Sequence, residues 1–343
     1  MLKMIFVWAI ALSLLGFFRG YKEVGGDLYV AQPLWVKIAL TISIGMISGV
    51  LFSLSELFFD RPKFRRWSYG KILITKAVVY FLIVNILLLS SIAIMSLRQE
   101  LDTLRGMFAQ IREDKIFWII LVYFTLVAMI ISFVRQMEQK FGPGVLWNMM
   151  LGKYRSPKQE SRVFMFLDLK DSTTIAEELG HIKFSRLIQD CFYDLNELVP
   201  RYKAEIYQYV GDEAVLTWTN KYGIAENNCL QLYFAYADKL EERKDIYISK
   251  YGVLPKFKAG VHLGDVTVAE VGVIKKEIAY HGDVLNTAAR IQGQCNTFNA
   301  KLLISNELRQ KTNIEKNLSV THMGDVLLKG KQKEVQIYAV SEP

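Results

Sequence analysis

Cysteine is scarce in this chain of 343 residues, and the three present are poorly placed for metal binding. Cys191, Cys229 and Cys295 lack the close spacing of zinc ligands, so buried thiols in a reducing compartment are expected. A signal-peptide cleavage site is missing too. The apolar run at residues 4–18 is short enough to be a leader, but Phe17, Phe18 and Arg19 stand where small residues would be needed. An uncleaved helix is therefore expected there. No RNA- or DNA-binding motif accompanies the net charge of +8. Much of the basic excess lies beside apolar runs, where anionic lipid attracts it, so nucleic acid is not expected as a partner.

Apolar sequence is abundant. Hydrophobic residues make up 52% of the chain and concentrate in the first 134 positions, in runs at 4–18, 34–54, 72–97 and 116–134. The last three can each cross a hydrocarbon core, which takes roughly 20 residues. Between the second and third runs, Arg61, Lys63, Arg65, Arg66 and Lys71 outweigh Glu56 and Asp60. After the fourth come Arg135, Lys140, Lys153, Arg155 and Lys158, whereas the other two loops are balanced. Positive residues stay inside, which predicts a multi-pass inner-membrane protein with both termini cytoplasmic. Lys76, within the third run, is expected to snorkel to the cytoplasmic surface.

The chemistry-bearing stretches come later. Residues 164–174 read F-M-F-L-D-L-K-D-S-T-T: a short apolar run, the acid Asp168, then a polar turn leading into a helical pattern. A carboxylate at a strand end beside a helix N-terminus can hold a cation while free backbone N–H groups face an anion. Residues 205–218 read E-I-Y-Q-Y-V-G-D-E-A-V-L-T-W, two β-prone runs joined by Gly211-Asp212, which predicts a hairpin. Pairing these strands would bring Asp168 and Asp212 to one rim, where two carboxylates repel unless a cation joins them.

In these contexts the acid pair resembles the catalytic domain of the class III nucleotidyl cyclases. The likeness continues in order through His281-Gly282-Asp283-Val284-Leu285-Asn286-Thr287-Ala288-Ala289-Arg290 and Leu328-Lys329-Gly330-Lys331. It implies an α+β, ferredoxin-like domain at 161–343; the apolar runs make residues 1–134 a four-helix transmembrane domain, and 135–160 is the linker between them. By the same resemblance, Asp168, Asp212 and the Leu169 carbonyl bind two Mg²⁺ or Mn²⁺ ions. Lys170, Asp171, Ser172 and Thr173 cradle phosphate, Lys329 grips the terminal phosphates, Asn286 orients the ribose and Arg290 stabilises the transition state. The acids and the Asn/Arg/Lys set come from opposite subunits in this family, which implies a homodimer with ATP sites at its interface.

Base recognition departs from the family pattern. The two base-reading positions fall on Gln208 and Ala279, where adenylyl cyclases often carry Lys with Asp or Thr, and guanylyl cyclases Glu with Cys. Glutamine offers both a donor and an acceptor, alanine neither. ATP is expected over GTP because adenylyl cyclases are common among bacterial-looking members. A guanylyl or mixed-specificity cyclase and a catalytically degenerate receptor remain alternatives. A diguanylate cyclase is disfavoured, because Gly211-Asp212-Glu213-Ala214 lacks the Gly-Gly-Asp/Glu-Glu-Phe signature.

The remaining pattern predicts helices over 174–179, 181–202 and 224–249. A strand at 257–262 should turn at Leu263-Gly264-Asp265 and return over 266–272. A helix over 283–294 should follow, N-capped by Asp283, then paired strands from about 318. Phe141-Gly142-Pro143-Gly144 should interrupt any helix leaving the fourth apolar run, giving a jointed link.

Overall fold

The computed structural model describes residues 34–59, 61–64, 67–96, 115–142, 145–314, 318–329 and 331–342. The chain divides into two compact units, Met1–Lys140 and Phe141–Pro343.

In the first unit the apolar runs become α1 (Leu34–Phe59), α2 (Tyr69–Ser96) and α3 (Lys115–Phe141). The run at 4–18 lies outside the described residues. Counted over the described residues, no helix is long and apolar enough to cross a membrane, so the expected four-helix membrane bundle is not reproduced as such. Lys76 corrects a second expectation. Instead of snorkelling it is 5% exposed, its Nζ 2.7 Å from Glu56 Oε2. Arg135 donates to the same oxygen at 3.0 Å, and the Tyr80 hydroxyl donates to Oε1. One buried carboxylate thus ties α1 to α2 and α3.

The expected break is present: α3 stops at Phe141, and Gly142 takes φ 96, a left-handed value that glycine tolerates. The apolar patch after it forms α4 (Val145–Met150), which leaves Trp147 and Met150 exposed.

The second unit is built on one eight-stranded sheet. In chain order it comprises β1 (Lys158–Leu169), α5 (Ser172–Leu198), β2 (Glu205–Val210), β3 (Glu213–Thr219), α6 (Asn220–Ile224), α7 (Asn228–Glu242), α8 (Lys244–Tyr251) and β4 (Phe257–Val271). It continues with β5 (Glu277–His281), α9 (Asp283–Gly293), β6 (Leu302–Ser305), α10 (Asn306–Arg309), β7 (Ser319–Val326) and β8 (Val335–Ser341). The strand order is β2-β3-β1-β4-β6-β8-β7, with β5 added to β4.

Alternation along β1 explains the layers, because successive side chains leave opposite faces of a strand. Val163, Met165 and Leu167 pack into the larger core with Leu187, Cys191 and Leu195 of α5 and Leu232, Tyr236 and Leu240 of α7. Phe164 and Phe166 face the other way, onto Val284 and Ala288 of α9. Asp168 continues this second series, so its side chain belongs to the face that α9 covers.

Three expectations change in detail. The chain does not turn at Leu263-Gly264-Asp265; β4 runs straight through, and its hairpin partner is β5. Gly264 is there for packing, since a Cβ on it would lie 2.6 Å from Val284 Cγ2. The predicted helix over 224–249 is split into α7 and α8, joined at Arg243. The helix cap before α9 is Gly282, with Asp283 the first helical residue. The break predicted before His181 survives as a kink in α5, where Gly180 has φ 70 and ψ 160.

Candidate active site

The predicted hairpin forms and delivers the acids to one rim. β2 and β3 pair up to Val210 opposite Glu213, so Gly211 and Asp212 are the two turn residues. Gly211 has φ 62, which a hairpin turn of this length requires at its first position. β3 in turn pairs with β1, setting Glu213 directly opposite Asp168, while Lys258 of β4 lies opposite Asp168 on its other side.

This rim is short of positive charge. Burial, then the neighbouring Asp212, push the Asp168 carboxyl above its ordinary range, with Lys258 opposing. Burial, followed by Asp168 and Asp212, pushes Glu213 up to about 7. Against three acids the protein supplies the Lys258 ammonium, 3.3 Å from Asp168 Oδ2, and the Gln292 amide, which donates to the same oxygen at 2.9 Å. Asp212 Oδ2 is buried and, among the described residues, has no hydrogen-bond partner. A buried, unpartnered carboxylate oxygen beside a second acid is expensive, and a divalent cation relieves it. Asp168 and Asp212 thus fit a cation, with Leu169 at the last position of the same strand. Among the described residues, no group of three or more His, Cys, Asp or Glu side chains is arranged as a metal site, so the fit rests on the pair.

Next to the acids, Asp171 adopts left-handed backbone (φ 57) and α5 starts at Ser172 without a side-chain cap. Uncapped amides at the start of a helix favour an anion. Ser172 is partly buried, and Asp171 and Thr173 are exposed. Lys170 departs from the expectation. Its amide donates to the Lys256 carbonyl at 2.8 Å, which removes that N–H from any phosphate cradle.

Helix α9 shows two faces. Val284, Thr287, Ala288, Ile291 and Gln292 are buried, Asn286 is exposed and Arg290 is partly so. Asn286 and Arg290 lie one turn apart on the same side. Among the described residues, no hydrogen bond or ion pair joins either one to Asp168 or Asp212 of the same chain. Lys329 is exposed in the turn after β7. Its neighbour Lys331 pairs with Asp283 in the first turn of α9 and, despite some burial, holds that carboxyl below its usual range.

Comparison with known proteins supplies the family. Residues 155–342 match the model of the adenylate and guanylate cyclase catalytic domain. The chain belongs to this family. It is a nucleotidyl cyclase. It is similar to adenylate cyclase 2 of Rhizobium meliloti (strain 1021), 29% identical over 317 residues that cover 90% of this chain and 85% of that protein. It is also similar to an adenylate cyclase of Anabaena cylindrica, 23% identical over 61% of this chain but only 42% of that one. Among solved structures, a bacterial light-regulated adenylyl cyclase shares the fold with a TM-score of 0.56, at 17% identity over 67% of each chain.

Within the cyclase unit, the two positions expected to read the base lie on different strands. Gln208 is exposed on β2, opposite Val215 and just after a bulge, and Ala279 is partly buried on β5, opposite Ala269. Their neighbours meet: the rings of Tyr207 and Tyr280 lie edge to face with centroids 4.9 Å apart.

Sequence reading missed Glu213, Lys258, Gln292 and Lys331. Glu213 could have been found, because it follows Asp212 at the start of a strand paired with the Asp168 strand. The other three depend on register and helix packing that no local pattern encodes.

Proposed function

We propose that this cyclase converts ATP to 3′,5′-cyclic AMP and pyrophosphate at the interface of a homodimer, attached to the cytoplasmic face of the inner membrane. The observation that carries the reading is the buried, unpartnered Asp212 oxygen beside Asp168. The names of its adenylate cyclase relatives favour ATP. Gln208, with both a donor and an acceptor, accommodates adenine and, with its amide flipped, guanine.

Asp168, Asp212 and the Leu169 carbonyl would hold two divalent cations. When bound, such ions lower the pKa of the ribose 3′-hydroxyl and neutralise the leaving pyrophosphate. The free amides at the start of α5 orient the phosphates. Asn286 positions the ribose. Arg290 donates to the α-phosphate as negative charge develops there, and Lys329 holds the terminal phosphates. Asn286 and Arg290 face away from their own acids, which favours sites completed by a second copy.

Membrane attachment is supported by the sequence. The apolar runs of α1–α3 belong to helices of 26, 28 and 27 residues, and the basic excess falls between α1 and α2 and at and beyond the end of α3. Ile74, Ile86 and Ile130 are more than half exposed, as lipid-facing side chains would be.

The test is turnover by the purified full-length protein with Mg²⁺ or Mn²⁺, offered ATP and GTP separately, with Asp212→Ala as the blank. Cyclic AMP formed by the wild type and lost in the variant is expected. Cyclic GMP alone would overturn the substrate. No product from a folded dimer would overturn the enzyme.

A further inference from the structure

Of all the contacts Asp168 makes, one comes from the helix that carries Asn286 and Arg290. Gln292 is 8% exposed, and its amide Nε2 donates to Asp168 Oδ2 at 2.9 Å. Its backbone is pinned as well. A Cβ on Gly260 of β4 would lie 2.2 Å from the Gln292 nitrogen and 2.6 Å from its Cα, so only a glycine strand lets α9 come this close. Asp168 projects onto the same face of the sheet. Gln292 is therefore a short, fixed arm from α9 to the carboxylate.

We infer that Gln292 is the positioning residue of the cation site: it fixes the Asp168 carboxylate by one oxygen and leaves the other for a divalent ion. A neutral amide suits this work. It donates a hydrogen bond without adding charge, whereas an ionised acid there would donate nothing and would crowd Asp168, Asp212 and Glu213 further. Lys258 touches the same oxygen but differs in kind. Its ammonium is a point charge on a flexible stem, shared with Asn296 Oδ1 at 3.4 Å, and it competes with a cation for the acids. The two contacts should therefore act on metal affinity with opposite signs. Residues that orient a metal ligand typically change affinity by about 10–100-fold when removed.

The inference rests on the cyclase reading above, and the experiment separates the two. Mn²⁺ binding to the full-length protein, without nucleotide, is measured by electron paramagnetic resonance. Gln292→Met keeps the volume and loses the donor; Gln292→Asn keeps the amide but shortens its reach. Both are expected to bind Mn²⁺ about 10-fold more weakly and to need correspondingly more Mn²⁺ for half-maximal turnover, while turnover at saturating Mn²⁺ changes little. Lys258→Met is expected to bind Mn²⁺ more tightly. In an Asp168→Asn background, Gln292→Met should cost nothing further, because its effect passes through Asp168. Wild-type affinity in both Gln292 variants would overturn the inference, as would an equal loss with and without Asp168. If the wild type itself binds no Mn²⁺ and makes no cyclic nucleotide, the cyclase reading fails first.

Discussion

Glu56 in the helical unit and Asp212 in the cyclase unit each have a buried carboxylate oxygen, and the two are treated in opposite ways. In the helical unit, Glu56 is 2% exposed and both its oxygens are satisfied, Oε2 by Lys76 and Arg135 and Oε1 by Tyr80. In the cyclase unit, Asp212 Oδ2 has no hydrogen-bond partner among the described residues, and Lys258 is in contact with Asp168 beside it. A charge whose partners come from two other helices of its own unit has no need of anything else. It is scaffold. A charge left short amid like charges is relieved by a bound cation or by taking up a proton. The comparison separates structure from function without reference to motifs.

The sharpest way to break it is to neutralise each acid. Asp212→Asn is expected to lower cyclic nucleotide formation by about 10³-fold or more, since losing a cation site removes several kcal/mol of charge stabilisation. Its metal-free melting temperature should nevertheless hold or rise, because the change relieves repulsion with Asp168 and Glu213. A fall in both activity and stability would mean that Asp212 is scaffold after all. Glu56→Leu should do the reverse. It strands the buried Lys76 ammonium without the Glu56 carboxylate, and breaking a buried pair typically costs about 3–5 kcal/mol. Denaturant unfolding of the helical unit, followed by its own spectroscopic signal, should show that loss. An unchanged midpoint would show that the Glu56 network contributes no net stability.

The strand–turn–acid pattern around Asp168, the Gly211-Asp212 hairpin and the Asn286/Arg290 spacing were legible because each is local: a few adjacent residues carry the periodicity, the turn chemistry or the helical step. What the sequence hid is set by distance in the chain. Gln292 reaches Asp168 across 124 positions, through a β4–α9 approach that Gly260 permits. Gly264 looked like a turn for a similar reason. A glycine chosen for close packing and one chosen for backbone freedom are the same letter. Lys76 looked like a lipid-facing cation because its partner, Glu56, lies on another helix and read as part of a loop charge balance. The short α7–α8 break at Arg243 has no proline or glycine to announce it.

Glu213 gives a smaller effect on the same comparison, read through pH. It faces Asp168 across the β1–β3 pair, and its carboxyl is pushed up to about 7, by burial first and then by Asp168 and Asp212. An unfolded glutamate titrates near about 4.3. Between those values the folded chain keeps a proton that the unfolded chain has lost, so stability is present below the unfolded value and falls as pH rises through this window. Asp168, also shifted upward, adds in the same direction. His262 opposes them: burial pushes it down to about 4, so its contribution is lost as pH falls from its ordinary value toward 4. The informative quantity is therefore the difference between wild type and Glu213→Gln, which cancels His262. In the presence of chelator, that difference in melting temperature should shift in favour of the variant between pH 4.5 and 7.5, and saturating Mg²⁺ should shrink the shift. If the difference is flat across the window, the three carboxylates do not crowd one another, and the contrast with the compensated Glu56 would rest on Asp212 alone.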